Sequence, residues 1–416
     1  MNKLFSNEAF DVMRNKNFRL FLFYRSFLTM ATLMQSVVVS WQMYSLTKNV
    51  FSLGLIGLVE VIPQVSIALF AGHFIDIWDR RKIIINTSFL LLVGSGILLI
   101  YSIPSLNCFS LFGVLPLFVT IFLTGFVRGI LMPAHTALLG QLVPREKLAK
   151  AATWNSANWH IAAVLGPAIG GLIYGFWGIV AAYSFVFLFF FTSIILIIST
   201  KKVERIISEK KIQEGIFVSI KEGIRFVFKS EMLLGAFSLD MFAVLFGGAV
   251  AMLPAFASDI LKVGPEGLGF LRSCPAIGAI LMSFVLMARM PEKNTGTYLL
   301  WAVVGFGLCM IGFALSTNFY LSALLLFLSG IFDNVSVVIR STILQLFTPN
   351  EMRGRVAAVN SIFIGSSNEL GAFESGTSAR FMGLVPSVVF GGAMTLVVVG
   401  FAAKMAPGLR RLSLKE

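Results

Sequence analysis

Apolar residues occur in long runs along the whole chain, separated by short polar segments. A transmembrane helix needs about 20 predominantly apolar residues to cross a hydrocarbon core of roughly 30 Å. Runs such as residues 179–199 are apolar throughout and lack the alternation of a transmembrane β-strand. The pattern therefore predicts an all-α membrane protein with twelve transmembrane helices. The predicted spans are residues 19–45, 52–74, 83–102, 111–133, 151–174, 178–199, 233–257, 267–288, 298–316, 319–341, 357–378 and 384–404.

Composition excludes the soluble classes of protein. Hydrophobic residues make up 57% of the 416 residues and charged residues only 13%, about half the charged share of a soluble domain. That balance excludes a cytosolic enzyme, a secreted disulfide-rich domain and a disordered chain. The first apolar run follows a polar segment ending at Asn17 and is too long for a signal peptide, so no cleaved leader is expected. The three cysteines are far apart, so neither a metal site nor a disulfide framework is predicted.

The positive charges fall on one side of the predicted membrane. The chain carries 33 Lys and Arg against 20 Asp and Glu, a net charge of +13. With the N-terminus in the cytoplasm, 27 of the basic residues lie on the cytoplasmic side, whereas the outer loops hold only Lys48, Lys262 and Arg380. By the positive-inside rule, both termini are expected in the cytoplasm of a bacterial inner membrane. The basic charge thus predicts contact with the lipid bilayer and does not require nucleic acid.

A hydrophilic segment at residues 200–231 divides the chain into two sets of six spans. We therefore predict an N-terminal six-helix half at residues 1–199, a cytoplasmic linker at 200–232 and a C-terminal six-helix half at 233–416. Apolar residues at helical intervals over 217–228 predict a helix within the linker that lies on the membrane surface.

The two halves repeat each other at a constant offset of 205 residues. Residues 144–146 (PRE) correspond to residues 349–351 (PNE), and Gly166 corresponds to Gly371. A single register held through this region predicts two pseudo-symmetric halves. Parallel repeats of this kind are typical of transporters that bind substrate where the repeats meet.

Several short motifs resemble those of a known family. Residues 72–82 read GHFIDIWDRRK, which resembles the cytoplasmic signature G-x-x-x-D-x-x-G-R-R/K of the major facilitator superfamily, with Asp79 where many members have Gly. Arg128 and Gly129 resemble part of its membrane-embedded arginine motif, and residues 166–171 (GPAIGG) resemble its antiporter motif. Resemblance to the branch that contains the enterobactin exporter rests on residues 18–21, 353–356 and 369–371.

The resemblance implies a conformational role for two of these motifs. Asp76 and Arg80 would form an interaction that holds the outward-open state, and the glycines of residues 166–171 would let their span move. The residues themselves leave two alternatives open, because the basic run 80–82 also serves as a topology anchor and the glycines also serve static helix packing. The expected conformational gate comprises Gly72, Asp76, Asp79, Arg80, Arg81, Gly166, Pro167, Gly170 and Gly171.

Ionisable residues inside the spans predict a transport pathway, because a charge at mid-membrane costs about 2.5–3.5 kcal/mol on insertion scales. At the repeat offset Arg128 corresponds to Asp333, and Arg25 lies near the position that matches Asp240. We hypothesise that these residues pair across the interface of the halves. The alternatives are ion pairing within one half and a side chain that faces a cytoplasmic vestibule. Arg272 lies near the start of its span and is expected to snorkel outward. The candidate substrate or proton pathway comprises Arg25, Glu60, Arg128, His160, Asp240, Asp333, Glu369 and Glu374.

These observations favour a monomeric secondary active transporter that exports a small organic molecule, siderophore-like or drug-like, in exchange for protons. Proton-coupled uptake of a small solute and flipping of lipids or lysolipids are the alternatives. The sequence holds no GxxxxGK[S/T] motif for ATP hydrolysis. It holds no HExxH or GxSxG motif either, so we expect no enzyme, no catalytic residue, no metal and no cofactor.

Overall fold

The computed structural model describes residues 11–201, 216–291, 293–349 and 352–413. This part of the chain is almost entirely helical and contains no β-strand. Helices are the expected outcome of long apolar runs, because inside a bilayer every backbone N–H and C=O must find its partner within the segment. The predicted all-α membrane fold is confirmed.

Contacts divide the chain into two compact units. Unit 1 comprises Met1–Gln42 and Ile62–Ile212, and unit 2 comprises Met43–Val61 and Gln213–Glu416. The end of the first long helix and the first part of the second therefore belong to unit 2. The division of the sequence into two six-helix halves joined by a cytoplasmic linker stays a prediction.

The first six helices lie wholly or mostly in unit 1, where α3 packs against both α5 and α6. They are α1 (Lys16–Thr47), α2 (Val50–Ile77), α3 (Arg80–Tyr101), α4 (Cys108–Phe112), α5 (Leu115–Leu142) and α6 (Leu148–Ile198).

The remaining helices lie in unit 2, where α12 packs against α10 and α11, and α14 packs against α11 and α8. They are α7 (Ile216–Lys229), α8 (Glu231–Phe246), α9 (Leu253–Ala255), α10 (Pro265–Ala288), α11 (Thr295–Leu315), α12 (Phe319–Leu346), α13 (Arg353–Met382), α14 (Leu384–Met405) and α15 (Pro407–Arg411).

Ten segments of the described chain are long and apolar enough to cross a membrane. One of them, α6, contains two crossings, because Gly178 adopts φ +82° and breaks the helical path. A residue with a Cβ would be strained at this φ, so glycine permits the turn. Helix α13 is not among the ten, since Glu369, Glu374 and its many Ser and Asn residues make it more polar. With α6 counted twice and α13 added, the twelve predicted spans are accounted for.

Equivalent glycines of the repeat make equivalent helix contacts. A Cβ added at Gly166 of α6 would lie 2.9 Å from the Cβ of Leu33 in α1. A Cβ added at Gly371 of α13 would lie 2.9 Å from the carbonyl oxygen of Leu245 in α8. In each unit, the fifth helix of the repeat thus approaches the first at a distance that only glycine permits. The repeat in the sequence therefore corresponds to a repeat in helix packing.

The seventh span is interrupted, in contrast to the continuous helix predicted over 233–257. Helix α8 stops before Gly247 and Gly248, and a 3₁₀ turn at Ala249–Met252 and a π-helical turn at Phe256–Ile260 complete the span. At Gly248 an added Cβ would lie 2.7 Å from a backbone oxygen of α13. The two glycines therefore serve both the break and a close helix contact, and π-helical turns occur often at functional sites.

The amphipathic helix α7 covers the segment predicted to form a surface helix. Its Glu222 forms an ion pair with Arg355 of α13, and a Cβ added at Gly223 would lie 3.0 Å from the Arg355 carbonyl oxygen. Val227 is buried in the core of unit 2, whereas Phe228 is exposed. One face of α7 is thus anchored to the transmembrane helices of unit 2.

We expect Gly129→Ala in α5 to destabilise the protein by about 1–3 kcal/mol, the range for overpacking a tight contact. An added Cβ would lie 2.5 Å from the backbone oxygen of Gln64 and 2.5 Å from Cγ2 of Ile67, both in α2. Gly140→Ala is the matched control, because Gly140 lies on the same helix with nothing within 4 Å of an added Cβ. Thermal unfolding in detergent measures both; equal stability of the two variants would contradict the close contact.

Candidate functional site

The signature loop between α2 and α3 is organised by Asp79, which is the N-cap of α3. Its carboxylate accepts hydrogen bonds from the backbone N–H groups of Arg81 (2.9 Å) and Lys82 (3.2 Å). Glycine is also a good N-cap residue, which explains how Asp79 replaces the glycine of the resembled signature. Gly72 and the side chain of Asp76 lie outside the positions whose surroundings the structure describes.

The two arginines of the loop bind backbone carbonyl groups of unit 1. Arg80 donates to the carbonyl oxygen of Ala137 in α5 (3.1 Å). Arg81 donates to the carbonyl oxygens of Ile197 (3.3 Å) and Ile198 (2.6 Å) at the C-terminus of α6, where cations are favoured by the helix dipole. Both arginines therefore connect helices, and their roles as topology anchors and in a conformational gate stay predictions.

We expect Asp79→Ala to lower the free energy of unfolding by about 1 kcal/mol, because two N-terminal N–H groups of α3 lose their acceptor. Asp79→Gly should cost only a few tenths of a kcal/mol, because glycine retains the backbone conformation of an N-cap. Denaturant-induced unfolding of both variants measures the difference. Equal losses of unfolding free energy in the two variants would show that N-capping of α3 is not the reason for an aspartate at Asp79.

The glycines of residues 166–171 hold α6 against α1. A Cβ added at Gly170 would lie 3.1 Å from the Cα of Met34. Pro167 and Gly171 are buried in the same stretch. The tight packing that this motif predicts is present, and its conformational role stays a prediction.

Arg25 of α1 meets the first half of α6 within unit 1. Its Nη1 donates a hydrogen bond to Oδ1 of Asn155 (2.7 Å). One residue further along, the Ser26 hydroxyl donates to Oδ1 of Asn158. Two polar side chains of α1 thus face two asparagines spaced by three residues on α6, which places them on one helix face.

A buried polar network lies beside Arg25 in unit 1. The Tyr24 hydroxyl is hydrogen-bonded to the Ser88 hydroxyl (3.0 Å) and to Nε2 of His135 (2.9 Å). All three residues are buried. They link α1, α3 and α5 through polar atoms in a region where water cannot serve as the alternative partner.

The other two candidates of unit 1 are half-buried. Arg128 lies in α5, next to Gly129, the site of close contact with α2. His160 lies in α6, with its ring edge-on to the Trp159 ring at a centroid distance of 5.3 Å.

Asp240 of α8 forms an ion pair with Arg340 of α12, within unit 2. Only 9% and 5% of the two side chains are exposed. The hypothesis that Asp240 pairs with Arg25 is therefore corrected: Asp240 is paired inside its own unit, one of the alternatives that the sequence left open.

Arg272 of α10 interacts electrostatically with two carboxylates, those of Glu369 in α13 and Glu60 in α2. All three residues are half-buried, and the Nε atom of Arg272 is fully buried. The expectation that Arg272 snorkels outward is thus wrong, because its guanidinium has acidic partners inside unit 2. The structure brings together Glu60 and Glu369, which lie more than 300 residues apart in the sequence.

The remaining acidic candidates of unit 2 are also half-buried. Asp333 of α12 precedes Asn334, whose Oδ1 accepts a hydrogen bond from the Ser283 hydroxyl of α10 (3.2 Å). The Glu374 carboxylate accepts a hydrogen bond from the Ser378 hydroxyl one turn away (2.6 Å). Glu374 is therefore satisfied locally, and it is less suited than Glu369 to exchange partners.

The comparisons with known proteins agree with the family that the motifs resemble. The chain matches the family described as transmembrane secretion effector over residues 7–412. The chain belongs to the major facilitator superfamily. It is a multi-pass membrane transporter and, like the rest of this family, not an enzyme.

Relatives within the superfamily cover nearly the whole chain. The MFS-type transporter YjbB of Bacillus subtilis (strain 168) is 24% identical over 408 residues, which is 95% of this chain and 96% of YjbB. The enterobactin exporter EntS of Escherichia coli O1:K1 / APEC is 23% identical and covers 87% of this chain and 85% of its own. The multidrug efflux pump Tap of Mycolicibacterium fortuitum is 23% identical and covers 91% of this chain and 92% of its own.

Solved structures share the fold of the superfamily. A POT family transporter in complex with 5-aminolevulinic acid superposes with a TM-score of 0.74 at 10% identity, over 94% of this chain and 96% of that one. A bacterial homologue of the human lysosomal transporter Spinster gives a TM-score of 0.66 at 14% identity, over 95% and 96% of the two chains. The twelve-helix fold is thus established independently of close sequence similarity.

Proposed function

We propose that this transporter exports a small organic molecule of the siderophore or drug class in exchange for protons. The observation that carries the proposal is the Arg272 cluster, defined as Arg272, Glu60 and Glu369. Two relatives, EntS and Tap, are named as an exporter and an efflux pump, which supports export as the direction.

The Arg272 cluster has the chemistry that coupling requires. A carboxylate inside the membrane is stable as an anion only while a cation or water compensates its charge. When Glu60 or Glu369 takes a proton, its carboxylate becomes neutral and no longer attracts Arg272 or a cationic group of the substrate. A proton and a cationic substrate would thereby compete for one carboxylate, which is a mechanism for antiport.

The other site residues enter the proposal with distinct roles. Asp76 and Arg80 would hold one conformational state, and the glycines of residues 166–171 would permit the change between states. Arg25 and Arg128 would face the substrate pathway of unit 1, together with His160. Asp333 would serve the pathway of unit 2. The protein would act as a monomer in a bacterial inner membrane, with both termini in the cytoplasm.

Export is tested in a bacterial strain that lacks its own siderophore and drug exporters. Cells that express the protein should accumulate less of at least one compound from a panel of catecholate siderophores and cationic dyes than cells with an empty vector. A protonophore should remove the difference. Greater accumulation than in the empty-vector cells would indicate uptake instead.

A matched pair of variants connects this assay to the Arg272 cluster. Glu369→Gln removes the ionisable group but keeps the size of the side chain, and it should abolish the difference in accumulation. Glu146→Gln, at an exposed position between α5 and α6, should leave it unchanged. Full export by Glu369→Gln would exclude this cluster as the coupling site, even if export itself is confirmed.

A further inference from the structure

A groove of about 710 Å³ opens on the side of unit 1, between α2, α3 and α5. Its volume falls within the roughly 300–1,000 Å³ of typical small-molecule sites. It does not include Arg25, Arg128 or any residue of the Arg272 cluster. The proposed transport mechanism therefore leaves this groove without a role.

The walls of the groove are apolar and aromatic. Ile67, Phe74 and Trp78 line it from α2 and the residue that follows α2, and Phe126 and Ile130 line it from α5. The rings of Phe74 and Trp78 lie against each other at a centroid distance of 5.3 Å. Trp78 is 59% exposed, and tryptophan at a helix end is typical of the level of the lipid headgroups.

The groove is polar where it meets the N-terminus of α3. Asp79, Lys82 and Asn86 line it. The Asp79 carboxylate is already engaged by two backbone N–H groups, whereas Lys82 and Asn86 are exposed and lie one turn apart on one face of α3. This end therefore presents an ammonium group and an amide group, which together suit an anionic oxygen ligand.

We propose that this groove binds one anionic phospholipid. Its phosphate would lie against Lys82 and Asn86, and an acyl chain would lie between α2 and α5 along Phe74, Phe126 and Ile130. The lining supports a lipid over a soluble anion, because the cation stands at the start of a membrane helix while most of the other lining residues are apolar or aromatic. The site would bind lipid from the leaflet that the signature loop faces.

The site carries its own reporter, because the indole of Trp78 lines the groove. The purified full-length protein is reconstituted in phosphatidylcholine vesicles that contain a fixed fraction of phosphatidylglycerol. In two separate preparations, the acyl chains of one lipid or of the other are brominated. Bromine quenches the fluorescence of nearby tryptophans. Subtracting the same measurement on Trp78→Phe isolates Trp78 from the other five tryptophans.

We expect brominated phosphatidylglycerol to quench Trp78 several times more than brominated phosphatidylcholine at the same mole fraction. Lys82→Glu should remove this preference, and Lys82→Gln should weaken it. Lys404→Glu is the matched control, since Lys404 is an exposed lysine at the end of α14 in unit 2 and should leave the preference intact. Added glycerol phosphate should not compete.

Three outcomes would overturn the proposal. Equal quenching by the two brominated lipids in the unsubstituted protein would show that the groove takes bulk lipid without selection. An unchanged preference in both Lys82 variants would show that the selective lipid site lies elsewhere. Competition by glycerol phosphate alone would identify a soluble anion as the ligand instead of a lipid.

Discussion

Arg272→Met is expected to abolish transport driven by a pH gradient and to lower the free energy of unfolding by about 1–3 kcal/mol, because half-buried charged groups lose their counter-charge. The substitution keeps a long side chain but leaves Glu60 and Glu369 without the cation that attracts both.

A double variant distinguishes the effect of this cluster on stability from its effect on transport. Arg272→Met/Glu369→Gln removes one of the two carboxylates, and we expect it to recover much of the stability but none of the coupled transport. Arg289→Met is the matched control, because Arg289 is exposed and follows α10, the helix that carries Arg272. Detergent unfolding and proteoliposome flux measure the two properties. Transport by Arg272→Met at the rate of the control would show that the cluster has only a structural role.

Breaking the Asp240–Arg340 ion pair should have the second large effect. Arg340→Met leaves the Asp240 carboxylate, which is only 9% exposed, without the cation that it pairs with. We expect the free energy of unfolding to fall by about 3–5 kcal/mol. Asp240→Leu/Arg340→Met should recover most of that loss, because replacing both members of a buried ion pair with apolar groups is often neutral or stabilising. Thermal unfolding of the single and double variants gives the coupling between the two residues.

The exposed ion pair between Asp11 and Lys147 is the control for this experiment. The hydrogen bond and the charge of Lys147 lower the pKa of the Asp11 carboxyl, so this contact strengthens as pH rises above the pKa of Asp11 and is lost as pH falls below it. Because both groups are in contact with water, Lys147→Met should leave stability nearly unchanged. A loss for Arg340→Met as small as that for Lys147→Met would contradict the buried pair.

The sequence predicted the membrane fold well because its dominant signals are local. Each span is a run of mainly apolar residues, and the basic residues are concentrated in the loops on one side of the predicted membrane. The repeat also predicted contacts: Gly166 and Gly371, matched by sequence offset, make equivalent approaches to the first helix of their units. The break in the seventh span was missed, although Gly247 and Gly248 stand at it, because both residues lie inside an otherwise apolar run.

Partners of buried charges could not be predicted in the same way. The pairing of Asp240 depends on how α8 and α12 face each other, and no periodicity along either helix specifies that Arg340 is its partner. The position of Arg272 near a helix end predicts a side chain that snorkels outward. Its actual environment depends on residues from α2 and α13. The network of Tyr24 and His135 was missed for the same reason, since His135 carries no signal apart from its location inside a span.

The most direct test of proton-coupled export is flux into proteoliposomes under an imposed pH gradient. The protein is reconstituted with a compound that it exports from cells, and accumulation is measured with the lumen either acidic or alkaline relative to the outside. Exchange of substrate for protons predicts accumulation only when the lumen is acidic, since protons leaving the vesicle then drive the compound inward. Accumulation only with an alkaline lumen, or equal accumulation in both cases, would contradict the account.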